Sequence, residues 1–353
     1  MPKICLSGQI EKTEQMENID FVLTWVDGAD QEWLNKRALY KGTATQQHCS
    51  HYRDWDILKY WFRSVEQFAP WVKRVFMITD NQCPGWLNRD HPQLRLVNHT
   101  DYIPEEYLPT FNSNCIEANM HRIEGLSEHF VSFNDDMFIT QPVTPEYYFK
   151  NGRPCLGTFE HIFDGRAYNP IDGWGVSVTD FMNTQILNAH FNRDEVVRAN
   201  KQGWYGSYLG LKYRLQAYLT KWFRRTEFQH LYTPHTEKPF LKSVFHEIWN
   251  AEPDMMDKTC SRFREITNLN IYLMRYWQLA TNRFYPTNMD GKQVIPICKQ
   301  NMEMIHHALF DPKIKSLCLN DSAFCTDEYF ATAKALLIQW FEEKLPNKSM
   351  FEK

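Results

Sequence analysis

The sequence predicts an α/β fold: a mainly parallel, Rossmann-like sheet flanked by helices, followed by a mostly helical C-terminal part. Three observations carry this expectation. Short apolar runs alternate with helical patterns over the first 150 residues, in the order strand, helix, strand, strand, helix, strand, which feeds parallel neighbours through crossovers. Three of the four strand ends carry aspartate, the place where such sheets hold ligands. Longer 3.6-residue periodicities then dominate from about residue 240 onward.

The first run, "IDFVLTWV" from Ile19 to Val26, is a short apolar strand running into the Asp27-Gly28 turn. "RDWDILKYWFRSVEQFAP" follows as a helix. Asp54 or Asp56 is placed to cap it, Leu58, Phe62 and Val65 lie on one face, and Pro70 stops it. "VKRVFMITD" is a second buried strand ending in Asp80, and "QLRLVNHTDYI" a third. "NSNCIEANMHRIEGLSE" reads as a helix ending near Gly125, and "HFVSFNDDMFI" as a single fourth strand. Residues 150–205, rich in Gly, Asn and aromatics with little periodicity, are expected to be loops and short strands walling a pocket. In 206–226 an apolar stripe (Leu211, Leu215, Leu219, Phe223) accompanies Lys212, Arg214, Lys221, Arg224 and Arg225. That pattern reads equally as a helix lying on an anionic membrane or polyanion and as a solvated helix face. "HTEKPFLKSVFHEIWN", "NLNIYLMRYWQLATNRF" and "TDEYFATAKALLIQWFEEKL" are expected helices. The expected division is an N-terminal extension (1–18), a catalytic unit (19–325) and a C-terminal amphipathic helix (326–353). Within the unit lie an α/β core at 19–150, a loop-rich wall with the basic insertion at 151–230, and a His/Arg part at 231–325.

With 353 residues and 43% hydrophobic content the chain has ample material for a core. Its 39 basic and 43 acidic side chains leave a net charge of −4, so no global basic field recruits nucleic acid. Nine scattered cysteines, odd in number and never spaced C-x-x-C, indicate neither a zinc knuckle nor a disulfide framework and suit a reducing compartment. The N-terminus has no apolar signal region and no window reaches the ~18 apolar residues of a membrane span. The expectation is an intracellular, cytoplasmic protein or a domain cut from a larger one.

Adjacent carboxylates at a strand end raise one another's pKa unless a cation neutralises them. Asn134, Asp135 and Asp136 therefore read either as a hydrogen-bonded Asx turn or as ligands for a hard divalent ion, Mg²⁺ or Mn²⁺, shared with substrate phosphates. Asp80 alone is an ordinary turn former. His235, in the Pro-flanked loop "YTPHTEKPF", reads as a general base or as a surface or capping residue. Arg264 in "CSRFREITN" is placed to neutralise phosphate, or merely to pair with Glu265 or Glu247. "SLCLNDSAF" repeats the pattern of apolar strand followed by Asn320-Asp321, a second hard-oxygen pair. No Walker A loop or G-x-G-x-x-G appears, which disfavours P-loop phosphotransfer and dinucleotide redox chemistry.

Four ordered blocks, "IDFVLTWVDGADQEW", "YRDWDILKYWFRSVEQFAPWVKRVFMITDNQCPGWL", "PTFNSNCIEANMHRIEGLSEHFVSFNDDMFITQPV" and "PHTEKPFLKSV", resemble those of the Stealth family. Its members are sugar-phosphate transferases of bacterial capsule and exopolysaccharide synthesis, with an animal relative in the lysosomal-enzyme N-acetylglucosamine-1-phosphotransferase. The resemblance spans about residues 19–325, and "CLND" resembles the animal enzyme's end segment. It implies a GT-A-like fold and transfer of hexose 1-phosphate from a UDP-sugar to a hydroxyl of a glycan or lipid-linked glycan, with release of UMP. A metal-dependent glycosyltransferase releasing UDP is the alternative. Carried onto this chain, the resemblance implies that Asp27, Gly28, Arg53, Asp54, Asp56 and Lys59 line the donor pocket. It further implies that Asp135 and Asp136 address metal and diphosphate above Glu117, His121 and Arg122, with His235 as base and Arg264 facing the phosphate. Asn320 and Asp321 are further expected metal ligands, and Asp80 and Asn134 further substrate contacts. The expected location is the cytoplasm, with peripheral contact at the inner membrane face through 206–226.

Overall fold

The computed structural model describes residues 18–42, 53–158, 160–161, 176–206, 208, 226–231, 234–321 and 325–353. Among these, the strands in chain order are β1 (Ile19–Thr24), β2 (Val75–Thr79), β3 (Leu94–Asn98), β4 (His129–Asn134), β5 (Met137–Ile139) and β6 (Phe149–Lys150). They continue with β7 (Arg153–Leu156), β8 (Glu160–His161), β9 (His230–Leu231), β10 (Lys238–Leu241), β11 (Tyr285–Pro286), β12 (Lys292–Pro296) and β13 (Ser316–Asn320). The central sheet has the order β10-β4-β1-β2-β3, with β4, β1, β2 and β3 parallel and β10 antiparallel on the edge. β1 and β2 are nearly continuous apolar runs because helices cover both faces of a parallel sheet.

The strand order reverses at β1. The chain builds outward through β2 and β3, then returns to place β4 on the other flank of β1, with Thr24 opposite Asn134. The crevice beyond the carboxyl ends of β1 and β4 is thus the topological switch point, where open α/β sheets take their ligands.

The helix Leu58–Phe68 lies where its apolar stripe predicts, against Phe133 and the C-terminal helix Asp327–Lys344. Tyr60 stacks on Phe341 at 5.3 Å, Phe62 packs on Phe351 at 5.2 Å, and one apolar core runs from Ile19 through Leu337 to Phe351. No carboxylate caps this helix: its N-cap is Ile57, while Asp54 Oδ1 accepts from the Asp56 amide, and Asp56 itself takes a φ of 53°. That local Asx turn takes the oxygen a cap would have used.

Four further expectations are corrected. "HFVSFNDDMFI" is two strands in different sheets, β4 in the central sheet and β5 against β13 in a second sheet ordered β12-β13-β5, with Asp135 and Asp136 in the turn between them. "KPFL" is not helical but forms edge strand β10, where Pro239 is tolerated because edges need fewer donors; the helix starts at Lys242. The helix at 113 stops at Ala118, and His121 and Arg122 lie on a separate 3-10 turn, Met120–Arg122. Residues 176–205 are three helices, Val176–His190, Arg193–Ala199 and Lys201–Tyr205. The first packs on the helix Tyr272–Ala280 through polar as well as apolar contacts, such as Asn183 Nδ2 to Asn270 Oδ1 at 2.6 Å at that helix's start, so it shows no clean stripe. Of the basic segment 206–226, residues 207 and 209–225 lie outside the described residues. No described helix is long and apolar enough to cross a membrane.

Candidate active site at the switch point

Asn134 ends β4, and the next two residues turn the chain out of the sheet before β5 begins. The turn is pinned from β13: the Leu319 amide donates to Asp136 O at 2.8 Å, and the Cys318 thiol donates to Asp136 Oδ2 at 3.3 Å. His235 approaches from the loop preceding β10, with its Nε2 3.4 Å from Asp136 Oδ2. That loop is held on both sides. Pro234 O accepts from Tyr272 Oη at 2.9 Å, and Glu237, fully buried, pairs with Lys292 Nζ at 2.7 Å and accepts from the Ser316 hydroxyl. The imidazole is 39% exposed.

A second set of groups is linked to the imidazole electrostatically through Glu117. Glu117, on the helix Ser113–Ala118, is buried; burial pushes its carboxyl up, while Lys238, Arg264 and His235 pull it down. Lys238, at the start of β10, is likewise buried, and its ammonium is pushed below the ordinary lysine range by burial, opposed by Glu117 and then Asp136. Arg264 donates to Ser113 Oγ on the Glu117 helix, and Glu247 pairs instead with Arg283. Asn112 caps that helix and fastens it to the Arg264 loop, its amide donating to Ser261 O and Asn268 Oδ1, both at 3.0 Å. Asp136, His235, Glu117, Lys238 and Arg264 thus form one electrostatic group drawn from four segments.

Asp135 is open to solvent within the cleft, yet its carboxyl is pushed up to about 7, by burial against the cleft walls, then by Asp136 and Asp54. Its exposure lets water offset part of the first effect. Asp54 is itself raised, chiefly by burial and also by Asp56. Asp56 is held low despite burial by Lys334, whose ammonium ion-pairs with it and donates to Asp54 O at 2.8 Å. Arg53 reaches Asp327 at 2.7 Å, Cys325 O at 2.8 Å and Asp321 at 3.7 Å; Trp55 Nε1 donates to Asp321 Oδ2 at 3.3 Å. Lys59 lies over the Tyr60 ring at 4.9 Å.

Other expected site residues have different surroundings. Asp27 accepts from the Ala29 amide at 2.9 Å and is bound through its backbone to Gln82, shaping the Gly28 turn beyond β1. Asp80 accepts two hydrogen bonds from Lys36, each 2.9 Å, and lies 3.9 Å from His99. His121 packs among Phe245, His246 and Trp249, and Arg122 stacks over Trp249 at 4.8 Å. Asn320 accepts the Ile297 amide through its carbonyl, and Asp321 faces Arg53 and Trp55. Among the described residues, one cluster of three groups has the proximity to hold a metal: Asp136, His235 and Cys318. Lys238, Cys318 and Lys334 were not singled out from sequence. Lys238 had one signal, a lysine in the same short block as His235.

Hard oxygens suited to Mg²⁺ or Mn²⁺ are also present. Asn134 Oδ1 and Asp136 Oδ1 are buried with no hydrogen-bond partner, and Asp135 is raised by crowding that a cation would relieve.

Residues 51–155 match conserved region 2 of the Stealth proteins and residues 17–44 match conserved region 1. The exopolysaccharide phosphotransferase cps2G of Lactiplantibacillus plantarum is 38% identical over 342 residues, covering 95% of this chain and 96% of the relative. The capsular polysaccharide phosphotransferase WcwK of Streptococcus pneumoniae is 36% identical over 343 residues, covering 96% and 100%. Receptor polysaccharide phosphotransferase WefC of Streptococcus oralis is 35% identical over 347 residues, covering 96% and 100%. Among solved structures, the bifunctional glycosyltransferase WbbM aligns over 96% of this chain and 51% of its own at a TM-score of 0.40 and 9% identity. With relatives of this identity matched from end to end, the chain belongs to the Stealth family of polysaccharide phosphotransferases.

Proposed function

We propose that the protein transfers a hexose 1-phosphate from a UDP-sugar to a hydroxyl of a glycan or lipid-linked glycan, forming a phosphodiester and releasing UMP, in capsule or exopolysaccharide synthesis. The observation that carries this reading is the half-open imidazole of His235 beside Asp136, at the switch point where unpaired oxygens await a cation. The donor's diphosphate lies against Asp135 and Asp136, with Arg53 and Lys59 on the wall that also bears Asp54 and Asp56. Asn134, Asp135 and Asp136 would hold Mg²⁺ or Mn²⁺, which supplies charge neutralisation to the diphosphate. His235 Nε2 accepts the acceptor hydroxyl's proton as that oxygen attacks the sugar-bearing phosphorus. The phosphoanhydride bond breaks, and its electron pair leaves with UMP. Asp136 lies beside the imidazole, its Oδ2 3.4 Å from Nε2, where it faces the positive charge the ring gains on taking the proton. Arg264 balances charge on the equatorial oxygens, while the buried Lys238 and Glu117 act on the site through their charges rather than by contact.

The test is incubation with a panel of UDP-sugars, glycan acceptor and Mg²⁺ or Mn²⁺, with identification of the nucleotide product. UMP is expected; UDP would convert the reading into a glycosyltransferase and overturn it. Replacing His235 with Ala should lower turnover by on the order of 10²-fold or more. Unchanged turnover would remove it as the base.

A further inference from the structure

Three ligand atoms of unlike chemistry meet at the base: Asp136 Oδ2, His235 Nε2 and Cys318 Sγ, all within 4.8 Å of one another. Two of the separations are 3.4 Å (oxygen to nitrogen) and 3.3 Å (oxygen to sulfur). Bond lengths of roughly 2.0–2.3 Å to zinc give tetrahedral edges of about 3.3–3.8 Å, so these two pairs already have the spacing of ligands on a tetrahedral ion. The scaffold is rigid on the sulfur side. Cys318 sits within β13 opposite Met137 and is buried, and the Leu319–Asp136 hydrogen bond fixes the turn to that strand. The imidazole side is open, leaving a fourth position for water or a phosphate oxygen.

We propose that Asp136, His235 and Cys318 form a binding site for a borderline-soft divalent ion of the zinc class, and that its occupation inhibits transfer by claiming the Nε2 lone pair. Magnesium has no use for a thiolate, whereas zinc and cobalt favour mixed N, O and S sets. The Cys318 proton leaves to solvent as the sulfur–metal bond forms, and no electron changes hands. The ordinary Mg²⁺ or Mn²⁺ would use the oxygens of Asn134, Asp135 and Asp136, so the two metal classes compete through Asp136 alone. The inhibitory half of the inference rests on the transfer reaction proposed above; the binding half does not.

Cobalt(II) added to the protein in one equivalent reads the site without substrate. A near-ultraviolet thiolate-to-cobalt band with intense visible bands of a tetrahedral ion is expected, and zinc should abolish both. The near-ultraviolet band should disappear in Cys318→Ser and persist in Cys298→Ser. Absence of the band, or its survival in Cys318→Ser, overturns the site. Should Cys318→Ser not fold, His235→Ala reads the same site: cobalt affinity should fall at least tenfold, and an unchanged affinity overturns it. For the inhibitory half, each protein is compared with its own zinc-free rate in Mg²⁺. The zinc concentration for half-inhibition should rise at least tenfold in Cys318→Ser, and an unshifted value overturns inhibition at this site. A protein that binds cobalt as described yet transfers nothing refutes the proposed function and leaves the site standing.

Discussion

Asp135 is a carboxylate held at a cost to the fold. Its carboxyl is pushed up to about 7, first by burial, then by Asp136. A carboxyl whose folded pKa exceeds its ordinary 3.8 contributes stability while protonated, and loses that contribution as pH rises through about 7. At pH 8, without metal, the ionised group opposes folding. Asp135→Asn should therefore raise the thermal midpoint of the metal-free protein at pH 8, by about 1 °C at most because water screens the exposed carboxylate, while lowering transfer on the order of 10²-fold. Differential scanning calorimetry with chelator, run beside a UMP assay, checks both. A lowered midpoint would mean that Asp135 is a structural turn residue. The contrast with Asp20 is instructive: fully buried in β1, it is satisfied by Arg74 at 3.1 Å and by the Ser127 amide at 2.8 Å, and it leaves no oxygen for a ligand.

At the scale of elements, the helices Leu58–Phe68 and Asp327–Lys344 and the tail that follows are joined by a buried ion pair. Arg63 Nε and Nη2 reach the two oxygens of Glu352 at 2.8 and 3.0 Å; both side chains are 4% exposed. Arg63 also donates to Leu345 O at 2.7 Å. Burial works against the charge on Glu352, but the Arg63 hydrogen bonds outweigh it and hold the carboxyl low. Glu342 also reaches Arg63, at 3.1 Å, and stays beside the guanidinium when Glu352 is neutralised, so Glu352→Gln should destabilise by about 1–3 kcal/mol, whereas Arg63→Met with Glu352→Leu should recover part of the loss. Urea unfolding of the three proteins measures this; equal losses in single and double variants would show that the charges themselves matter less than the shape. This clasp was hidden in the sequence because its partners are 289 residues apart. What was legible were elements whose pattern is local: the apolar runs of β1 and β2, and the stripe Leu58, Phe62, Val65. What was not legible were features decided by tertiary partners. The break at Asp135 is made by β13 capturing Met137 and Phe138 in another sheet. Likewise β10 exists because Ser132 to His129 offer it a ladder, although Pro239 could have flagged an edge strand. Of the candidate site, Asp136 and His235 lie side by side. Cys318 carried no spacing signal that distinguishes a site residue from a core one, and Lys238 only its place in the same short block as His235.

At the scale of the whole molecule, acid stability separates into two windows with different owners. Carboxylates held low, such as Glu352, contribute stability above their ordinary pKa near 4.5 and lose it only as pH falls below that value. Histidines held low act earlier. His121 is lowered to about 3, first by burial, then by His246 and Arg122; His99 is lowered to about 4, first by burial, against the pull of Asp80. An unfolded histidine takes its proton near 6.5, so from there downward the unfolded chain binds protons that the folded chain refuses, and stability falls. Raised carboxyls oppose this over part of the same range: Glu117, and Asp135 up to about 7, gain relative stability as pH falls. The net slope between pH 6.5 and 4.5 is a difference of these effects, and a substitution isolates one of them. The groups facing His121 are His246 and Lys242 from the helix Lys242–Ala251, Arg122 beside it, and the rings of Phe245 and Trp249. Phenylalanine keeps the ring packing and removes the proton site. His121→Phe should match the parent's midpoint closely at pH 8 and lose less of it on acidification, so that the two curves separate progressively below pH 6.5. Thermal melts at half-unit pH steps measure the divergence; parallel curves from pH 8 to 4.5 would show that His121 takes its proton in the folded state as readily as in the unfolded one.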